Sequence, residues 1–176
     1  MNTVKDKLIE IATDTVQKSG INALTMRELG DAVGIKSSSV MYHFKSKDGL
    51  MYELVSSYSE GFTLYLEELT KTYTDPQTRL LKFIDIFEDV LKDGKFCLCG
   101  MLASQNENLD ILTRDKTREF FDASEIWVEK ALTKEQNDVS LAKVIISSLE
   151  GAMLLDKLDE KTQRLNAVRA WLKSLF

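Results

Sequence analysis

The stretch Thr25-Met26-Arg27-Glu28-Leu29-Gly30-Asp31-Ala32-Val33-Gly34-Ile35-Lys36-Ser37-Ser38-Ser39-Val40-Met41-Tyr42-His43-Phe44-Lys45-Ser46-Lys47 decides the fold. Thr25 with Glu28 three residues on is a capping-box pattern, which starts a helix. Leu29, Ala32 and Val33 give that helix an apolar face, and Gly34 ends it after about eight residues. Ile35 turns back toward a core. Ser37 is then placed to cap a third short helix that runs to Phe44. Two short helices joined by a glycine-containing turn form a helix-turn-helix.

The same reading extends outward in both directions. Val4, Leu8, Ile11, Ala12 and Val16 recur at helical spacing, so a first helix is expected over about Val4–Ser19, stopped by Gly20. Ser46 is expected to cap a fourth helix, whose apolar period (Leu50, Leu54, Tyr58, Phe62, Tyr65, Leu69) lasts to about Thr72. Pro76 marks the next break. Leu80, Phe83, Ile84, Phe87, Val90 and Leu91 mark a fifth helix, closed by Asp93 and Gly94. A short buried helix is expected around Cys97–Ser104, a longer one over Thr117–Leu132, and two last ones over about Val139–Leu158 and Lys161–Phe176. With one proline and eight glycines, the chain reads as all-α with about nine helices. The short helices give way to long ones near Lys47. That divides the chain into a helix-turn-helix domain, residues 1–47, and a helical domain, residues 48–176.

Charge is distributed unevenly. The net charge is −5, yet residues 1–50 hold seven Lys/Arg against six Asp/Glu. The acidic excess therefore belongs to the rest of the chain. Contact with phosphate needs a local basic patch rather than a basic protein. The longest uncharged run is the eleven residues Phe96–Asn106, too short for a membrane span, so no membrane partner is expected. The N-terminus lacks the basic start and apolar core of a signal peptide, and a cytoplasmic location is the expectation.

The quoted segment resembles the DNA-binding segment of TetR-family transcriptional regulators over roughly residues 5–55. The resemblance is carried by the Thr opening the second helix, the Ala32-Val33-Gly34-Ile35 turn, the His43-Phe44 pair, and Ser46-Lys47 opening the fourth helix. It implies phosphate-positioning roles for Thr25, Tyr42, His43 and Lys47, and a base-edge role for Arg27, whose guanidinium can bind guanine bidentately. Lys36 and Lys45 are further phosphate candidates. Ser37, Ser38 and Ser39 are small enough to bring backbone amides close to phosphates or base edges. Many members of the family carry an aromatic residue where this chain has Met41, so an operator is not transferable from a relative.

Such modules bind two half-sites as pairs, so a double-stranded DNA operator and a homodimer are the expected partners. Leu141, Ile145, Ser148, Ala152 and Leu155, followed by Leu165, Val168 and Leu172, recur at spacings of three and four and are read as a pairing surface. The family resemblance also implies a small-molecule inducer, of unknown identity, held in the middle helices. Phe62, Phe87, Met101, Phe120 and Trp127 are the candidates there. Cys97 and Cys99 are read as buried and inert, or as a redox- or electrophile-sensing pair. With His43 the only histidine, no metal or cofactor is expected. Ser140-Leu141-Ala142-Lys143 matches SxxK, but its partner motifs are absent, as are GxSxG, Walker A and HExxH, so an enzyme is not expected. The reading is thus a TetR-type regulator, most simply a repressor. Its alternative is a non-regulatory DNA-binding protein using the same helix-turn-helix.

Overall fold

The computed structural model describes residues 3–132 and 139–176. Among them are nine α-helices: α1 Val4–Ser19, α2 Met26–Val33, α3 Ser37–Phe44, α4 Lys47–Thr72, α5 Pro76–Lys92, α6 Leu98–Ala103, α7 Ile111–Ala131, α8 Val139–Asp159 and α9 Gln163–Ser174. Two single turns of 3₁₀-helix, Ile21–Ala23 and Asn106–Asn108, join them. No described residue lies in a strand. No helix among the described residues is long and apolar enough to cross a membrane.

The helix ends follow local chemistry. Thr3 caps α1 in a capping box: its hydroxyl accepts from the Asp6 amide, and Asp6 accepts in return from the Thr3 amide. Asp75 caps α5 by accepting from the Thr78 amide at 2.7 Å, with Pro76 in the first turn. The α7 helix starts six residues before the expected Thr117. The reason is Asp110, whose carboxylate accepts from the amides of Leu112 and Thr113 and so caps a helix that charge patterning had hidden.

The chain forms two compact units. The first comprises Met1–Glu60 and Leu98–Arg118. Here α2 packs on both α1 and α3. Leu8, Ala12, Val16, Leu29, Val40, Phe44, Leu50 and Leu54 are buried in its core. At about 1.5–3 kcal/mol for each large apolar side chain, this core far outweighs the caps of about 1 kcal/mol each. Two close approaches make it possible. A Cβ on Gly30 would lie 2.7 Å from the Ile35 carbonyl oxygen and 3.3 Å from Val40 Cγ2. A Cβ on Gly49 would collide with the Phe44 carbonyl oxygen. Gly34 ends α2 with φ +75°, and the Ile35 amide donates to the Gly30 carbonyl at 2.9 Å. The expected apolar face of α2 is corrected in one position: Ala32 is exposed, and Gly30 takes the contact with α3.

The second unit comprises Gly61–Cys97 and Glu119–Phe176, and in it α9 packs against both α5 and α8. The fully buried Asp156 fixes the corner between α8 and α9. It accepts from the amides of Arg164 and Leu165 and from the Arg164 guanidinium at 2.9–3.2 Å. Arg169 ties α9 to α5 by donating to Glu88, to Asp85 and to the Leu81 carbonyl.

We predict that Gly30→Ala destabilises the protein by about 1–3 kcal/mol, because the added methyl meets backbone rather than a flexible side chain. Urea denaturation checks this, and a shift under a few tenths of a kcal/mol would show that α2 and α3 are not in tight contact.

Candidate functional site

The α3 helix has one buried face and one open face. Val40 and Phe44, four residues apart, are buried, while Ser37, Ser38, Ser39, Met41 and Tyr42 are exposed. Tyr42 is 85% exposed, so its ring and hydroxyl are open to a partner. Its ring lies edge-on to His43 at 6.0 Å, and His43 is half-buried against Phe44. The face is therefore built on a fixed aromatic base.

The helix starts differently from the sequence reading. Lys36, not Ser37, is its cap residue, and no side chain caps it. Ser37 opens the helix itself, so no capping hydroxyl takes up the amides of Ser37 and Ser38, while the Ser39 amide donates to the Lys36 carbonyl at 2.9 Å. Uncapped amides beside small serines suit phosphate oxygens. The far end of α3 is marked by Lys45, which takes a positive φ of 65°.

The surrounding residues add charge. Residues 32–47 contain Lys36, Lys45 and Lys47 and no Asp or Glu. All three lysines are exposed. Lys47 donates to the Ile21 carbonyl at 3.2 Å, which steadies its stem and leaves other ammonium hydrogens for phosphate. Thr25 caps α2, accepting from the Glu28 amide and donating to the Glu28 carboxylate at 2.7 Å. The Arg27 side chain is largely exposed, 3.9 Å from Asp31, a loose surface contact of little energetic weight. All nine DNA-binding candidates thus lie within the stretch Thr25–Lys47 of the first unit, and eight of them are exposed. Sequence reasoning left the acid-free run from 32 to 47 unremarked, although its signal was plain.

The other candidates fall differently. Phe62, Phe83, Phe87, Phe120 and Trp127 form one aromatic cluster in the second unit, with ring centroids 4.8–6.1 Å apart. Trp127 Nε1 donates to the Leu66 carbonyl and to Thr70 Oγ1. Met101 does not join that cluster within the unit; it lies in the first unit beside Gly20 and Gln105. Of the pairing candidates, Ile145, Ala152, Leu165 and Leu172 are buried in the chain's own core, Leu141, Ser148 and Val168 are half-buried, and Leu155 is exposed. The four buried ones lie on α8 and α9, which pack on each other within the chain. The apolar and small residues of α8 left outside include Val144, Ser147, Gly151, Leu154, Leu155 and Leu158.

Cys97 and Cys99 are both buried and not in a disulfide, as inert cysteines are. Cys97 hydrogen-bonds Glu150, an acidic neighbour that does not favour a thiolate. Burial pushes the Glu150 carboxyl up from 4.5 to about 7, against the opposing effect of that hydrogen bond. A raised carboxyl favours the folded state fully below its unfolded value and loses that contribution as pH rises through its folded one.

A small helix held on another, presenting an exposed polar and aromatic face with lysines before and after it, has the arrangement of a helix-turn-helix. Comparison with known proteins defines it further. Residues 8–54 match the model of bacterial regulatory proteins of the tetR family. A probable HTH-type transcriptional regulator YttP of Bacillus subtilis is 31% identical over 77 residues, 44% of this chain and 37% of that protein. The HTH-type transcriptional repressor KstR2 of Mycolicibacterium smegmatis is 29% identical over 76 residues, 43% of this chain and 37% of that protein. This chain thus matches well under half the length of these curated relatives. A TetR transcriptional regulator from Legionella pneumophila is 27% identical in its crystal structure, with a TM-score of 0.93 covering 100% of this chain and 98% of that one. Residues 8–54 thus match the tetR family's segment, and the whole chain shares the fold of a solved TetR transcriptional regulator.

Two measurements follow. Lys36→Ala should lower the slope of log affinity for DNA against log salt by about one, with little change in stability. An unchanged slope removes Lys36 from the phosphate contacts. Independently, stability should fall as pH rises from 4.5 through about 7, and Glu150→Gln should lack that part of the decline. Parallel pH profiles for the two proteins would show that Glu150 titrates normally.

Proposed function

We propose that this chain is a cytoplasmic repressor that binds a palindromic operator as a homodimer and is released by a small, largely apolar molecule. The carrying observation is the open face of α3, with Tyr42 exposed beside an acid-free run of three lysines. In this reading residues 1–47 bind DNA, and residues 48–176 bind the effector and the second copy. Lys36, Tyr42, His43 and Lys47 hold phosphates, with Thr25, the amides of Ser37 and Ser38 and the hydroxyl of Ser39. Arg27 reads a base edge, and Met41 offers an apolar contact to a thymine methyl.

The second copy docks on the outer side of α8. Val144, Ser147, Gly151, Leu154 and Leu158 lie three or four residues apart, with Leu155 beside them, and all six are exposed, Leu158 by 79%. A Cβ on Gly151 would meet nothing within 4 Å, which leaves room for close approach of a facing helix. The aromatic cluster around Phe62, Phe87, Phe120 and Trp127 supplies the effector region. Release requires the effector to bind more tightly to a dimer whose recognition helices no longer match the half-site spacing. The reading is one of regulation rather than catalysis, in keeping with a family of transcriptional regulators.

Gel-shift titration of the DNA upstream of the chain's own gene tests this. A discrete complex that resists non-specific competitor, with an inverted-repeat footprint, is expected. Binding to all DNA alike would favour a non-regulatory DNA-binding protein. Replacing Leu155 and Leu158 by Glu should give monomers in sedimentation and weaken the complex. Dimers that persist would place the pairing surface elsewhere.

A further inference from the structure

Carboxylates of the second unit that leave the solvent find donors. Asp156 has two amides and a guanidinium, and Glu88 and Asp85 share Arg169. Glu150 is different. Its Oε2 is sealed from solvent and has no hydrogen-bond partner among the described residues. The Cys97 thiol, a weak donor, hydrogen-bonds its carboxyl. A buried oxygen without a donor costs about 1–3 kcal/mol, and a buried charge costs more. Such an atom calls for an explanation.

Three occupants can be compared. A second copy docking on the outer surface of α8 does not reach an atom with no accessible surface in the single chain. A metal ion would find only Cys97 and Glu150, short of a usual ligand set, and no group of three such side chains occurs among the described residues. A small cation meets the chemistry. An ammonium would supply both the missing donors and the missing charge, and charge-assisted hydrogen bonds are about twice as strong as neutral ones. The same unit holds an aromatic cluster that an apolar part of such a molecule could meet. Helix α5, which carries Phe83 and Phe87, packs against α8, which carries Glu150. Aromatic faces favour cations as well.

We propose that Glu150 is the polar anchor of a small-molecule site between α5 and α8, and that its ligand is an apolar amine carrying one positive charge. The proposal rests on the effector reading above and names the chemistry of the effector. Oε2 is covered in the structure described, so the ligand binds a conformer in which α5 and α8 part around it.

Calorimetry and thermal shift with the full chain test the site. The probes are phenethylamine, phenethyl alcohol and phenylpropionate, of similar shape but different charge. The amine should bind about tenfold more tightly than the alcohol, and the acid most weakly. At about pH 6.5 amine binding should release protons from the carboxyl, read as a heat that varies with buffer. In Glu150→Gln the preference for the amine should shrink to about twofold or less. Equal affinity for amine and alcohol overturns the proposal, as does a preference that survives in Glu150→Gln. Lack of amine binding at millimolar concentration overturns it too. The buffer-dependent heat is measured on the parent protein, so the test stands even where the variant folds poorly. Release of DNA by the alcohol as readily as by the amine would remove Glu150 as anchor and leave the effector reading intact. Selective amine binding without release of DNA would support the site and sink the effector reading.

Discussion

The close contact of α2 with α3 at Gly30 is the constraint on which the rest depends. Helices ordinarily pack with 8–10 Å between axes, and side chains fill the gap. Here the gap is nearly closed, because Gly30 has no Cβ to meet the Ile35 carbonyl and Val40. The left-handed turn at Gly34 brings the chain back in two residues. Gly49 performs the same service at the other end of α3, against the Phe44 carbonyl. With Val40 and Phe44 buried, the rotation of α3 about its axis is fixed. That rotation decides that Tyr42 and the serines face outward. A slip of one residue would bury Met41 and expose Val40.

Electrostatics then acts on a surface already positioned. A net charge of −5 would repel DNA if it were spread evenly. It is not, since residues 32–47 carry three lysines and no acid. At physiological salt, charges more than about 8 Å from the contact are screened, so the local run outweighs the acids elsewhere in the chain. On α2, the Glu28 carboxylate accepts from the Thr25 hydroxyl, and Asp31 lies 3.9 Å from Arg27.

The helix-turn-helix was legible because its signals are local. Thr25 with Glu28, Gly34 and the Val40–Phe44 spacing each act within a few residues, and the structure bears them out. The same is true of α1, α5 and the overall nine-helix arrangement. What was not legible depends on which surface meets which. Helix α8 is apolar on more than one side, so spacing alone could not tell the stripe that packs on α9 from the one left outside. Ile145 and Val144 are neighbours in sequence, and one is fully buried while the other is half exposed. Met101 was grouped with the aromatic residues by composition, yet it belongs to a different unit. Glu150 gave no signal at all, because an acidic residue in an amphipathic helix reads as solvent-facing until its surroundings are known.

The most direct test of the central claim is the map of backbone amide shifts in NMR spectra as short duplex DNA is added at low salt. The account predicts changes concentrated in Thr25–Lys47 and largest over Ser37–Tyr42, with α8 and α9 nearly silent. Changes centred on any other helix, or a silent α3, would contradict it.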